Sequence, residues 1–332
     1  LSYLIATDEA GYGPKLGPLV IVATAWKIEE QTTPKKAYAN LQVPIFDERC
    51  GWLRIDDSKR VFKRCHDSET GEIPVLDEVC RSVSRWASLP DPLNQFPQWL
   101  KTIAALDHAS VVATPWFAGL SDEARLIHKA ASFEADTKLI DHWSAFGASL
   151  LAIQARVITA SRFNDLIDRG NNKADLLTET TCRLAIDLLS TITACESDAT
   201  IMSDRHGGRA FYGAALQHLC DGSTLRVLQE GKPASRYHLS HKSNEGVEQT
   251  IDWSFTIGGD SFAPVALSSM IAKWIRERAM ASFNRYFIER MPSGQPLRPT
   301  AGYPSDADRF LKDIAKAGLR KAIADADLIR KR

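Results

Sequence analysis

Two adjacent carboxylates, Asp8 and Glu9, sit where an apolar run meets a glycine-rich loop, in Thr7-Asp8-Glu9-Ala10-Gly11-Tyr12-Gly13-Pro14 with Gly17-Pro18 shortly after. Gly11 and Gly13 permit positive φ and close backbone approach, so their N–H groups can face a phosphate or a sugar. Tyr3-Leu4-Ile5-Ala6 before the loop and Leu19-Val20-Ile21-Val22-Ala23 after it read as buried strands. Asp8 and Glu9 therefore stand at a strand end. Successive strand residues point to opposite faces, so the two side chains reach one cation only with help from the loop or a backbone carbonyl. Taken alone, the segment also reads as a hairpin loop with a solvated acidic start.

Four further segments follow in order. Asp57-Ser58-Lys59 comes first, and the strand-like Ala199-Thr200-Ile201-Met202-Ser203 delivers Asp204. Asp260-Ser261-Phe262-Ala263-Pro264-Val265-Ala266-Leu267-Ser268-Ser269-Met270-Ile271-Ala272-Lys273 continues to Arg276-Glu277, and Ala301-Gly302-Tyr303-Pro304 lies near the end. Each piece is common by itself, but together and in this order the five resemble the signatures of the type 2 ribonucleases H, ribonucleases HII and HIII. The resemblance covers about half the residues, concentrated in those segments.

The resemblance implies an α/β, ribonuclease H-like fold, a mixed five-stranded sheet flanked by helices, with Asp8, Glu9, Asp204 and Asp260 converging at strand and helix ends. Residues 1–290 would form the core, with insertions at about 63–150 and 207–250, and 291–332 a C-terminal helical segment contacting substrate. Clustered carboxylates raise one another's pKa, so a cluster that stays ionised near neutrality implies bound divalent cations. Oxygen-only ligands favour Mg²⁺ or Mn²⁺ over zinc, in a two-metal site acting as catalyst and metal ligand at once. The implied reaction is endonucleolytic hydrolysis of the RNA strand of an RNA/DNA hybrid, or of a ribonucleotide-containing duplex, leaving a 3′-hydroxyl and a 5′-phosphate. Gly11, Tyr12, Gly13, Lys59, Lys273 and Tyr303 are the implied substrate contacts. Two alternatives stay open: a catalytically weakened nucleic-acid-binding or partner-binding protein on the same fold, and a ribonuclease H-like nuclease acting on structured DNA or single-stranded RNA.

Individual residues carry their own alternatives. Lys59 and Lys273 read as phosphate contacts or as ion-pair partners of the carboxylates. Arg276 reads as structural. His206, in His206-Gly207-Gly208-Arg209, belongs to a turn or shuttles a proton, and His238 and His241 read as surface residues on a strand. Tyr12 departs from the family, which carries a basic residue between the two loop glycines, and Pro304 replaces the usual glycine after the tyrosine. Both departures bear on how a ribonucleotide junction is read.

The elements that must position these residues are partly legible. In 173–193, Leu177, Thr181, Leu184, Ala185, Leu188 and Ile192 recur at helical steps and give one apolar face. From 264 to 290, Ile271, Trp274, Ile275, Ala279, Phe283 and Phe287 do the same, and Ser268 and Ser269 suit close packing on a sheet. Thr224–Leu228 and Arg236–Ser240 flank Gly231-Lys232-Pro233 as a hairpin, and Ile251, Trp253, Phe255 and Ile257 alternate as a half-buried strand. In the first insertion, Val111-Val112-Ala113 reads as a strand and 121–131 as a helix.

Composition excludes several classes. Hydrophobic residues at 44% and charged residues at 25% describe a globular chain, and the absence of an apolar run of about 18 residues argues against a bilayer span. Lys plus Arg equals Asp plus Glu at 41 each, which argues against a global positive field coating nucleic acid. Arg309, Lys312, Lys316, Arg320, Lys321, Arg330, Lys331 and Arg332 outnumber the nearby aspartates and read either as a local phosphate-contacting surface or as the solvated face of a mixed-charge helix. The cysteines show no Cys-x-x-Cys and no basic-then-apolar leader is seen, so the expectation is of reduced thiols in a cytoplasmic protein.

Overall fold

The computed structural model of the chain describes residues 2–30, 32–48, 50–61, 74–120, 133–192, 198–242 and 248–331. Strands β1 (Ser2–Ala10) and β2 (Leu19–Ile28) form the opening hairpin, and a small two-stranded hairpin, β3 (Ile45–Asp47) with β4 (Gly51–Leu53), follows. Helices follow, among them α1 (Pro74–Trp86), α2 (Phe96–Ile103) and α3 (Phe133–Ser144). They lead to β5 (Ala148–Ile158), helix α4 (Lys173–Ile192) and β6 (Ala199–Asp204). Strands β7 (Thr224–Gln229), β8 (Ala234–Lys242) and β9 (Glu248–Thr256) precede the long helix α5 (Ala263–Ile288) and helix α6 (Pro304–Lys316).

The main sheet runs β5-β2-β1-β6-β9-β8-β7. Its first five strands are the expected mixed sheet: β1 pairs antiparallel with β2, β2 antiparallel with β5, and β1-β6-β9 run parallel. This is the strand arrangement that the sequence resemblance implies. The sheet has seven strands rather than five because the hairpin of the second insertion continues it, β8 pairing antiparallel with β9 and β7 with β8.

Alternation along β1 and β2 separates two cores. Leu4, Ala6, Val20, Val22 and Trp26 pack beneath α5, whereas Ile5, Leu19, Ile21 and Ala23 pack with Leu177, Leu184, Ala185 and Leu188 of α4. Helix α5 is buried over most of its length, on more than the one face its spacing suggests. Ser268 lets it approach the sheet closely: its hydroxyl donates to the Ala6 carbonyl at 2.9 Å and lies 3.0 Å from Thr24 Oγ1.

The first insertion thickens this helical layer. Leu76, Val79, Val83, Trp99 and Trp143 join the α5 core, Trp274 Nε1 donates to Asp77 Oδ1 at 2.7 Å, and Arg278 pairs with the same carboxylate. Val111-Val112-Ala113 is helical, in His108–Ala113, not a strand, since so short an apolar run suits either state and here buries only Val111 against the core. The helix expected over 121–131 lies outside the described residues. Among the described residues no helix is long and apolar enough to cross a membrane, and Cys50, Cys80, Cys182 and Cys220 are free thiols.

Candidate active site

Because β1, β6 and β9 are parallel, their C-terminal ends share one edge of the sheet, where ligands of open α/β sheets bind. Pairing of β1 with β6 stops at Thr7–Ser203, so Asp8 comes level with Asp204 at the end of β6 and Glu9 extends past it. Asp204 is the last residue of β6, opposite Thr256 of β9, and Asp260 lies in the single turn Gly259–Ser261 that links β9 to α5. All four carboxylates line one cavity of about 410 Å³. The strand end is what reconciles Asp8 and Glu9: Asp8 stands beside Asp204 where β6 ends and Glu9 lies one residue further, so side chains leaving opposite faces both line the cavity.

Helix α5 supplies another wall. Ser269, Lys273, Arg276, Glu277 and Met280 recur at helical spacing and line the same cavity, with Ser58, Gly11, Ala301 and Tyr303 completing it. Ser58 and Ser269 hydroxyls lie 3.1 Å apart, which brings the Asp57-Ser58-Lys59 segment to the site. The Lys59 side chain is outside the described residues. Lys273 Nζ lies 3.4 Å from Glu277 Oε1, and Tyr303 is 55% exposed at the rim.

The carboxylates share a strained electrostatic environment. Burial first, and then the charges of Asp204 and Asp260, raise Asp8 from 3.8 to about 7, against the lowering effect of a hydrogen bond from Ser269. Burial and the charges of Asp8 and Asp204 hold Glu9 well above its ordinary value. Donors are hard oxygens throughout, the set that suits Mg²⁺ or Mn²⁺. Among the described residues, no three or more His, Cys, Asp or Glu side chains already stand grouped around a single metal position.

The glycine loop is held from behind. Gly11 has φ +88°, and a Cβ there would stand 2.6 Å from the Pro18 carbonyl, so no other residue fits the turn. Arg276, buried, donates to the carbonyls of Pro18 at 2.7 Å and Ala301 at 3.0 Å, the structural role expected of it. The Gly302 carbonyl accepts from the N–H of Lys15 at 2.8 Å, tying the Tyr303 segment to the loop. Arg330 was not foreseen here. Counted from sequence among basic surface residues, it is buried, donates to the carbonyls of Gly11 at 2.6 Å and of Pro14, and is lowered to about 9 by burial and by Arg276. Much of the remaining basic tail is paired internally, Lys331 with Asp168, Arg320 with Asp325 and Arg309 with Asp306.

Tyr12 and Gly13 lie outside the lining of the acidic cavity. The Tyr12 ring turns toward α4, where Lys173 Nζ lies 4.6 Å from its centroid, while Gly13 is beside Tyr303. His206 is buried against Tyr212 and Phe255, with Nδ1 3.1 Å from Thr178 Oγ1, and burial followed by Arg209 lowers it to about 3. It is a neutral packing residue, not a proton shuttle. His238 Nδ1 lies 2.8 Å from Asp252 on the solvent side of β8, and His241 is exposed.

No family model and no curated protein matches the chain. Solved structures do. Bst-RNase HIII in complex with Mn²⁺ is 14% identical, with 99% of this chain and 66% of that chain covered and a TM-score of 0.41. RNase HII of Archaeoglobus fulgidus, in its complex with PCNA, is 13% identical over 99% and 94%, with a TM-score of 0.39. Ribonuclease H2 of Pyrococcus horikoshii OT3 is 15% identical over 97% and 94%, with a TM-score of 0.38. All three are ribonucleases H. The chain spans just under two thirds of the ribonuclease HIII chain, and its own strand order defines its fold.

Proposed function

We propose that the chain is a divalent-cation-dependent endonuclease that hydrolyses the RNA strand of an RNA/DNA hybrid, or a ribonucleotide embedded in a duplex, to a 3′-hydroxyl and a 5′-phosphate. The observation that carries this reading is the meeting of Asp8, Glu9, Asp204 and Asp260 in one cavity at the C-terminal ends of three parallel strands. The five ordered sequence signatures support it independently.

Asp8, Glu9, Asp204 and Asp260 would hold the cations. Bound Mg²⁺ or Mn²⁺ supplies relief of the carboxylate repulsion, a more acidic water and charge compensation at phosphorus. The chain's residues do the rest. Helix α5 fixes Ser269 against Asp8, so that carboxylate keeps one orientation. Arg276 and Arg330 hold the loop carbonyls, leaving the N–H groups of Gly11 and its neighbours to meet the substrate sugar. Tyr303, exposed at the rim, offers a ring to a ribose, and Lys273 offers an ammonium beside the cavity. A 2′-hydroxyl is what such backbone and ring contacts can distinguish. In the hydrolysis, a water oxygen bonds to phosphorus as the bond to the 3′-oxygen breaks, and that oxygen leaves with a proton.

The test is a substrate panel with Mg²⁺ or Mn²⁺: an RNA/DNA hybrid, a duplex with one ribonucleotide, all-DNA and all-RNA. The proposal predicts cutting of the first two only. Cutting of DNA or free RNA instead assigns another nuclease specificity to the same site.

A further inference from the structure

Pairing of β6 with β9 ends at Asp204–Thr256, and the chain then leaves through Arg205 and His206, whose backbone N–H groups are both held. Arg205 N–H donates to the Thr256 carbonyl at 3.1 Å, and His206 N–H donates to the Tyr212 hydroxyl at 3.1 Å. The second hold is itself held. Tyr212 is buried, its ring lies flat on Phe255 of β9 with centroids 3.6 Å apart and 3° between planes, and its own N–H donates to the Tyr237 hydroxyl of β8 at 2.8 Å. Tyr237, also buried, donates in turn to Oε1 of Glu230, just past the end of β7, at 2.6 Å. Ser235 of β8 adds a separate tie, its hydroxyl donating to the Ala210 carbonyl at 2.6 Å.

Each phenol hydroxyl in this chain accepts from a backbone N–H and donates onward, Tyr212 to the Arg209 carbonyl at 3.3 Å and Tyr237 to Glu230. Removing either oxygen leaves a buried N–H without its acceptor, which a ring that merely packed would not do. Tyr212, Glu230 and Tyr237 all fall within the second insertion, at 207–250. We propose that these three are positioning residues for the nuclease site: the β7–β8 hairpin, acting through the two hydroxyls, fixes the backbone just beyond Asp204 and so aims the Asp204 carboxylate at a divalent cation. This rests on the nuclease reading above. The Gly259 N–H, which donates to Asp204 Oδ1 at 2.8 Å, holds the carboxylate itself, and the hairpin holds the main chain that carries it.

Mn²⁺ binding to the free protein, followed by titration calorimetry without nucleic acid, tests it alongside hybrid cleavage and near-UV circular dichroism. Tyr212→Phe should weaken Mn²⁺ binding by about tenfold, the lower end of what groups behind a metal ligand contribute. Tyr237→Phe and Glu230→Ala should weaken it in the same direction by less, and Glu230→Gln should keep the wild-type value because its amide oxygen still accepts from Tyr237. Tyr212→Phe and Tyr237→Phe combined should cost no more than Tyr212→Phe alone, because the two hydroxyls act in series. At saturating Mn²⁺ the KM for the hybrid should stay at its wild-type value, since none of the three residues lines the acidic cavity. Glu230 is exposed, so its two variants decide the matter even where a buried tyrosine variant fails to fold. Unchanged Mn²⁺ affinity in folded variants, with the hybrid still cut by wild type, overturns the positioning role and leaves the nuclease reading standing. Weakened Mn²⁺ binding in variants of a wild type that cuts no substrate supports the role and overturns the nuclease reading, and a wild type that neither binds Mn²⁺ nor cuts overturns both.

Discussion

The backbone N–H of Gly259 donates to Asp204 Oδ1 at 2.8 Å, so the end of β6 and the turn carrying Asp260 form one rigid unit. A Cβ on Gly259 would stand 3.0 Å from Asp204 Cα and 3.2 Å from Oδ1, which leaves no slack. Gly259→Val should therefore displace Asp204 and lower kcat by roughly 10²-fold while the circular dichroism spectrum stays native, since displacements of about 1 Å at a reacting centre have costs of that order. Full activity in this variant would mean that the Asp204–Asp260 geometry is not needed.

The buried carboxylates make a pH prediction. Asp8 is held near 7 in the folded chain against 3.8 when unperturbed, so the folded form keeps a proton that the unfolded form has lost across that window. Metal-free stability should accordingly fall as pH rises from about 4 to 7 and level off above it, Glu9 acting in the same direction. In EDTA, Asp8→Asn should melt above wild type at pH 8, with the gap closing toward pH 5. Added Mn²⁺ should raise the wild-type Tm at pH 8 and raise that of the variant less. A gap that widens toward acid pH contradicts the burial of an uncompensated charge.

Arg330 links the C-terminal end to the loop beyond Glu9. Its Nε and Nη1 are buried without hydrogen-bond partners among the described residues, so the residue is kept at some electrostatic expense. Arg330→Met strips the Gly11 and Pro14 carbonyls of a charged donor, and should lower stability by about 1–3 kcal/mol. It should also lower kcat, because the loop no longer holds its shape. Urea denaturation and turnover on the same preparation check both, and a stable, fully active variant would remove the clamp from the account.

His206 yields a prediction of the opposite kind. Burial, and then the charge of Arg209, lower it to about 3, so the ring does not change charge near neutrality. His206→Asn should leave the shape of the pH–rate profile intact, whatever it does to the level. Loss of one limb of that profile would restore the histidine as an acid or base.

The sequence makes legible the placement of four carboxylates at strand ends and a helix start. Asp8, Glu9, Asp204 and Asp260 stand out because carboxylates interrupt apolar runs beside glycine or a helix start, and such local patterns survive without tertiary context. Strand β5, which starts where the first insertion ends, is not legible as a sheet strand although Leu150, Ile153, Ala155 and Val157 are buried, since nothing local says that it pairs with β2. The β7–β8 hairpin was visible as a hairpin but not as a continuation of the sheet, for the same reason. Arg330 looked like part of a solvated tail because its partners are backbone carbonyls more than 300 residues away. Tyr12 was seen as a missing cation, and the Lys173 ammonium above its ring comes from a different element.

The most direct measurement is cleavage of a labelled RNA strand in an RNA/DNA hybrid by wild type and by Asp204→Asn, titrated with Mg²⁺ and Mn²⁺. The account predicts internal cuts leaving 3′-hydroxyl ends, abolished by EDTA and reduced by about 10²-fold or more in the variant, the scale of losing one preorganised electrostatic group. Equal rates for the two proteins at saturating metal, or cleavage that persists in EDTA, would contradict it.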